Sequence, residues 1–246
     1  MDSEIVAAGA QASRRYRIAH YPVALIDRVT LGDGRSVLVR PVLPQDAEPL
    51  QAFVQRLSPG ARYRRFHMGV RELPAAVLRA FTELDYAQHL GLLAEVFDSD
   101  QRQTVVADAR LIRRADGPVA DAAIVVADDW QGLGLGRDLI GRLLRSASRS
   151  GLAAVEADVV AENAPMLRLL ARLGFSLRAR PDDPRLVQAR IELDAVPGTQ
   201  SGVNTGTSAP LALGANATRT RWPIASASKS QSTRLVSMLT PSSSFT

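Results

Sequence analysis

Ten residues constrain the fold of this chain more than any other stretch: Asp128-Asp129-Trp130-Gln131-Gly132-Leu133-Gly134-Leu135-Gly136-Arg137. Before them, residues 120–127 are small or β-branched and read as a strand. After them, Leu135, Leu139, Ile140, Leu143, Leu144 and Ala147 fall on one face at helical spacing, and Gly151 stops the helix. The chain must therefore pass from a strand into a helix through glycines at alternate positions. Such glycines let consecutive backbone N–H groups turn into one concavity without Cβ clashes. The helix N-terminus adds partial positive charge, and the combination suits a pyrophosphate. Arg137 in the first turn opposes the helix dipole unless an anion sits beside it. Two familiar phosphate loops do not fit. No Gly-Lys-Ser/Thr follows, as a P-loop needs, and the spacing of Gly132, Gly134 and Gly136 is not the dinucleotide fingerprint.

The surrounding sequence reads as α/β. Residues 27–31 and 36–40 flank Gly32-Asp33-Gly34, a hairpin signal. Asp46 is placed to cap a helix reaching about Leu57. Ser58-Pro59 opens a second helix, and Pro74 a third. Residues 91–97 and 103–112 read as strands before residues 120–127. The short turn Ala115-Asp116-Gly117-Pro118 makes the last two antiparallel. Residues 153–160 form another strand. A helix carrying Met166, Leu167, Leu170 and Leu173 then ends at Gly174-Phe175, with Asn163 as its N-cap and Pro165 in its first turn. Residues 176–179 and 186–192 supply two closing strands. Arg62, Arg64 and Arg65 could meet an acidic partner molecule but read more readily as a solvated helix face, and Tyr63 and Tyr86 could approach a site but read more readily as packing aromatics.

Three regions follow: an arm at 1–22, a domain at 23–194, and a tail at 195–246. The tail is rich in Ser, Thr, Ala and Gly without an apolar period, and is expected to be disordered. It contains no acid, while Arg219, Arg221, Lys229 and Arg234 supply four of the formal +5 charge. The domain is thus nearly neutral, and charge gives no ground for a nucleic-acid partner. No apolar run approaches the ~20 residues of a membrane span, so no membrane partner is expected. Residues 1–12 lack a basic segment followed by a hydrophobic one, which points away from a secretory signal and toward the cytoplasm. The chain has no cysteine, and His20, His67 and His89 are scattered, so no metal site is expected.

The glycine loop resembles the cofactor motif Gln/Arg-x-x-Gly-x-Gly/Ala of GNAT-superfamily N-acetyltransferases, matched by Gln131, Gly134 and Gly136. Asn163 followed by Gly174-Phe175 resembles a second segment of that family. The GNAT domain of bacterial protein-lysine acetyltransferases is the most similar group. There a strand like Ala120-Asp121-Ala122-Ala123-Ile124-Val125-Val126 leads into Asp128-x-Trp130-Gln131-Gly132. Leu31-Gly32-Asp33-Gly34, Val39-Arg40-Pro41, Leu57-Ser58-Pro59 with Arg62-Tyr63, and Phe81-Thr82 with Asp85-Tyr86 resemble the same group.

The resemblance implies a single mixed, mostly antiparallel twisted sheet flanked by helices. It also implies acetyl-CoA as acyl donor and a primary amine, most of all a protein lysine, as acceptor. The amine attacks the thioester directly, so the reaction needs no cysteine. Gln131, Gly132, Leu133, Gly134, Leu135, Gly136 and Arg137 would hold the pyrophosphate. Amides near Val125 and Val126 would hold pantetheine and the developing oxyanion, and Asn163 would complete the contacts. A glutamate on the strand before the loop serves as base in the resembled enzymes. Asp121 stands there, one methylene shorter, with Asp108 on the neighbouring strand or a water chain as rivals. Leu170 occupies the place where many GNAT enzymes carry a tyrosine acid. Two other readings stay open: a small-amine acetyltransferase, and a weakly active acyl-CoA-binding module.

Overall fold

The computed structural model describes residues 21–193. The expected arm, apart from Tyr21 and Pro22, and the expected tail lie outside the described residues. Eight strands form one sheet: β1 (Asp27–Thr30), β2 (Ser36–Pro41), β3 (His89–Phe97), β4 (Gln103–Arg113), β5 (Val119–Val126), β6 (Ala154–Val160), β7 (Ser176–Ala179) and β8 (Leu186–Glu192). Their order is β1-β2-β3-β4-β5-β6-β8-β7. Neighbours are antiparallel except β5 and β6, which run parallel. A parallel pair needs a crossover, and the glycine loop with its helix supplies it. The fold is the α/β arrangement expected, a mixed, mostly antiparallel sheet with helices on both faces.

Helices α1 (Ala47–Arg56), α2 (Pro59–Phe66) and α3 (Ala75–Thr82) cover one face. Their Leu50, Phe53, Val54, Phe66, Val77 and Phe81 pack with Leu93, Val105 and Val125 of the sheet. Helices α4 (Leu135–Arg149) and α5 (Ala164–Arg172) cover the other. The α4 stripe read from the sequence is the buried one: Leu135, Leu139, Ile140, Leu143 and Ala147 meet Leu92, Ala109, Leu111 and Ala120. Each such large side chain contributes about 1.5–3 kcal/mol by leaving water.

The helix starts divide into two kinds. Ser58 caps α2 by accepting from the Ala61 amide at 3.2 Å, with Pro59 at the first position. Asn163 caps α5 by accepting from the Met166 amide at 3.3 Å. Asp46 precedes α1 but does not cap it. Its carboxylate receives two bonds from Arg40, both 2.7 Å, and one from the Leu43 amide at 2.6 Å. Asp46 closes the 3-10 turn Pro44–Asp46 through the Leu43 amide, and the Arg40 guanidinium occupies both its oxygens, so its carboxylate is engaged away from the α1 amides.

The sheet is not continuous across its middle. β5 stays paired with β4 up to Val126 opposite Ala107, and β6 stays paired with β8 up to Val160 opposite Leu186. Between β5 and β6, however, pairing covers only Val119–Ala154, Ala120–Val155 and Asp121–Glu156. Past Asp121 the two half-sheets part in a V.

Candidate active site

A cavity of about 430 Å³ fills this V. One wall is β5 from Ala122 to Val126, and the other is Val155, Ala157, Asp158 and Val159 of β6. Gln131, Gly132, Gly134, Gly136 and Arg137 close one end at the start of α4, and Asn163 and Leu170 belong to the α5 side. Arg64, Arg65 and His67 reach it from α2.

The loop takes its shape from backbone conformations that only glycine adopts cheaply. Gly132 has φ 76° and Gly134 φ 94°, and neither has a heavy atom within 4 Å of where a Cβ would stand. The Gln131 side chain donates to the Val126 carbonyl at 2.9 Å, tying the loop to the end of β5. The β1–β2 turn braces it from behind. The Gly32 amide donates to the Leu133 carbonyl at 3.1 Å, Arg35 donates to the Asp129 carbonyl at 3.1 Å, and Arg35 stacks 4.0 Å over Trp130. Such bracing fixes donor directions before any anion arrives.

Leu133 and Leu135 are not among the cavity-lining residues. Leu135 is fully buried and Leu133 packs on the same core, so only their backbone groups remain to meet a ligand. The pair Val125 and Val126 is also divided. The Ala127 amide donates to the Val106 carbonyl at 2.8 Å. Amide directions alternate along an antiparallel ladder. The amides of Val125 and Ala123 are therefore directed to β4, and those of Ala122, Ile124 and Val126 to the cleft. Of the amides near Val125 and Val126, those of Val126 and Ile124 have the cleft orientation, while Val125 is itself a lining residue.

Asp121 stands at the vertex of the V, buried, and does not line the cavity. Its Oδ1 accepts two bonds from Arg114, at 3.0 and 2.5 Å. Arg114 also donates to Glu156 at 2.6 Å, and Arg190 and Gln188 bind Glu156 as well. Burial pushes the Glu156 carboxyl up, but its bonds to Arg190 and Arg114 outweigh this and hold it below the usual range.

Asp108 lies opposite Val125 on the face that α2 covers. It is buried between Arg110, at 2.6 Å, and Arg65, at 3.4 Å. Burial raises its pKa, yet the two guanidiniums win and depress it.

His67 and Asp158 line the cavity without having been singled out from the sequence, and Arg65, one of three α2 arginines able to meet an acidic partner, lines it too. Arg62 donates to the Leu57 carbonyl at 2.6 Å, ending α1, while the side chain of Arg65 is only 7% exposed. The expected solvated face of α2 is corrected for Arg65, while Arg64 is exposed as read. Arg65 follows buried Ala61 by four residues, one helical turn, and that spacing was the available signal. His67 ends α2 in a left-handed conformation at φ 57°. Its burial lowers its pKa, with Asp158 opposing the shift and Arg65 adding to it. The tyrosines are packing residues as read in one case: Tyr86 donates to the Val42 carbonyl at 2.8 Å and meets Tyr21 edge-on. Tyr63 is 40% exposed. Among the described residues no group of three or more His, Cys, Asp or Glu could hold a metal ion, and no helix is long and apolar enough to cross a membrane.

Residues 64–175 match the acetyltransferase (GNAT) family. Acetyltransferase PA5475 of Pseudomonas aeruginosa is 34% identical over 164 residues, covering 67% of this chain and 88% of that protein. The chain belongs to the GNAT family. Acetyltransferase Pat of Mycolicibacterium smegmatis is also 34% identical, over 161 residues, which cover 65% of this chain but 46% of Pat. The chain therefore spans less than half the length of that relative. Among solved structures, the GNAT domain of S. lividans PAT is 26% identical with a TM-score of 0.64, covering 71% of this chain and 100% of that one. YncA of Salmonella typhimurium, solved with its cofactor acetyl-CoA, shares the fold at 19% identity and a TM-score of 0.51, over 72% of this chain and 99% of that one.

Proposed function

We propose that this chain transfers an acetyl group from acetyl-CoA to a primary amine, the side chain of a protein lysine. The observation that carries the reading is the V between β5 and β6, open past Asp121 and closed by the glycine loop at the start of α4. The residues fit the donor. Amides from Gln131 to Gly136, with Arg137 beside them, suit a pyrophosphate. The edge of β5 offers unpaired amides to a pantetheine arm lying where a strand would otherwise pair. The Ile124 and Val126 amides can stabilise the oxyanion as the amine adds to the thioester carbon.

The amine then forms the C–N bond, the C–S bond breaks, and the amine proton must leave. A lysine amine has an ordinary pKa of about 10.4, so it must also shed a proton before attack. We assign proton acceptance to Asp121. Five residues of strand separate it from Val126, roughly 16 Å, so the proton travels through water on the face that Asp121, Ala123 and Val125 share. Leu170 has no proton to give, and water protonates the leaving thiolate. The lysine acceptor rests on the resemblance to protein-lysine acetyltransferases.

The test is CoA release with acetyl-CoA alone, with a panel of small amines, and with unacetylated cell proteins. Release dependent on protein, with acetyl-lysine detected by mass spectrometry, is the expected result. Release only with small amines would replace the acceptor, and tight CoA binding without release on any amine would overturn the transfer reading.

A further inference from the structure

Arg65 is a buried cation on the cavity wall with unmatched capacity. Its side chain is 7% exposed, and its Nε has no hydrogen-bond partner. Among the described residues its carboxylate contact is long, 3.4 Å to Asp108 Oδ2. Arg110 holds the other oxygen of Asp108 by Nε at 2.7 Å and Nη2 at 2.6 Å, and donates a further bond to the Phe81 carbonyl. Two guanidiniums thus share one carboxylate. His89, packed edge-on against Phe81, is held neutral at ordinary pH, its pKa pushed down to about 3 by burial and by Arg110. The Phe66 and Phe81 rings, 5.0 and 5.7 Å from the Arg65 guanidinium, surround it without supplying an anion. Of the cavity-lining residues, Arg64, Arg65, Arg137 and Arg172 are cationic and Asp158 alone is acidic, and Asp158 faces Arg180 at 3.3 Å.

Position separates Arg65 from the donor's phosphates. Its partner Asp108 stands opposite Val125, beside the Ile124 and Val126 amides, on the sheet face that α2 covers, whereas α4, which begins at the glycine loop, packs on the other face. An anion at Arg65 would belong to the reacting end of the cleft.

We propose that Arg65 anchors a carboxylate carried by the amine acceptor, so that the enzyme prefers amines with an acidic group near the attacking nitrogen. This deepens the transfer reading and rests on it. The carboxylate can come from an acidic residue beside an acceptor lysine or from a free amino acid. A buried guanidinium with an unused N–H recognises both by charge-assisted hydrogen bonds. Burial also lowers the Arg65 pKa, the direction expected of a cation with incomplete compensation.

The experiment compares amines matched except for the carboxylate, on the full chain with acetyl-CoA: 4-aminobutyrate against 4-aminobutanamide, and Ac-Asp-Lys-NH2 against Ac-Asn-Lys-NH2. At least one acidic member should show kcat/KM roughly 10- to 100-fold above its neutral twin. Arg65→Gln should bring that ratio near one with acetyl-CoA affinity unchanged, and Arg65→Lys should keep part of it. The amino-acid and peptide pairs tell the two sources apart. In wild type, propionate should compete with the acidic acceptor and not with acetyl-CoA, a measurement that needs no variant. Equal rates within both pairs, or a preference that survives Arg65→Gln, would overturn the proposal. If no amine turns over, the transfer reading fails separately. Calorimetry of 4-aminobutyrate into the CoA-saturated protein then decides the subsite: binding lost in Arg65→Gln upholds it, and absence of binding in wild type removes it.

Discussion

Asp121 and Glu156 are the last residues of β5 and β6 to lie opposite each other, and Arg114 bridges their carboxylates at 2.5 and 2.6 Å. The V therefore opens from a clamped vertex. Two acids side by side would repel across adjacent strands. Arg114 converts that repulsion into a fastening, with Arg190 and Gln188 completing the shell of Glu156.

Asp121→Asn should keep acetyl-CoA affinity and lower turnover by ~10²–10⁴-fold, the usual worth of general-base catalysis. Glu156 retains Arg114 in this variant, so the clamp persists. The defect should shrink as pH rises toward the amine's own pKa, and Asp121→Glu should retain activity. The check is the pH–rate profile of each protein on one amine. Parallel profiles of similar height would take Asp121 out of the mechanism.

Gly134→Val should fold yet lose acetyl-CoA affinity by tenfold or more. At φ 94° a β-branched residue is strained by about 1–3 kcal/mol, and relaxing that strain turns the amides away from the cleft. Calorimetry measures the affinity, and unchanged binding in a folded variant would sink the pyrophosphate assignment.

Asp128 accepts from the Ser58 amide at 3.2 Å and the Ser58 hydroxyl at 2.9 Å, joining the start of α2 to the end of β5. Asp128→Ala should cost about 0.5–1.5 kcal/mol in chemical denaturation, an ordinary hydrogen-bond loss. Because α2 brings Arg65 and His67 to the cavity, the acceptor KM should rise while acetyl-CoA affinity holds. A change in donor affinity alone would contradict this division of the site.

Stability should fall on mild acidification, and His89 should carry much of the slope. Its folded pKa, about 3, lies below the ordinary 6.5 because of burial and the nearby Arg110 and Arg65 guanidiniums, which Asp108 only partly opposes. Below pH 6.5 the unfolded chain takes up a proton that the folded ring refuses. Stability is therefore full above pH 6.5 and declines as pH falls toward 3, by up to about 1.4 kcal/mol per pH unit. Between pH 6.5 and 5 few carboxylates titrate, so thermal unfolding of wild type against His89→Leu isolates this term. Equal slopes would show that His89 is not held neutral.

The local half of the site was legible in the sequence. The change of period after Trp130, the alternating glycines and the caps at Ser58 and Asn163 are properties of neighbouring residues. Each is set by backbone sterics and hydrogen bonds within a few positions, and each stands in the structure where the sequence put it. The strand pattern around the Gly117 turn likewise fixed the antiparallel pairing of β4 with β5.

What only the tertiary structure decided are matters of register and partnership. Where β5 and β6 stop pairing depends on β4 and β8 holding them on opposite sides, and no feature of either strand alone marks Asp121 as the last contact. The same register turns the Val126 amide into the cleft and the Val125 amide away from it. Asp46 reads as a cap until Arg40 arrives from β2 to take its carboxylate. Arg65 reads as a solvated arginine until α2 lies down on the sheet and seals it against Asp108. A sequence fixes which groups a residue offers, and short-range geometry fixes how its neighbours use them. Which distant group meets each offer, and whether water is still present when they meet, is determined by how the strands align and which helix covers them.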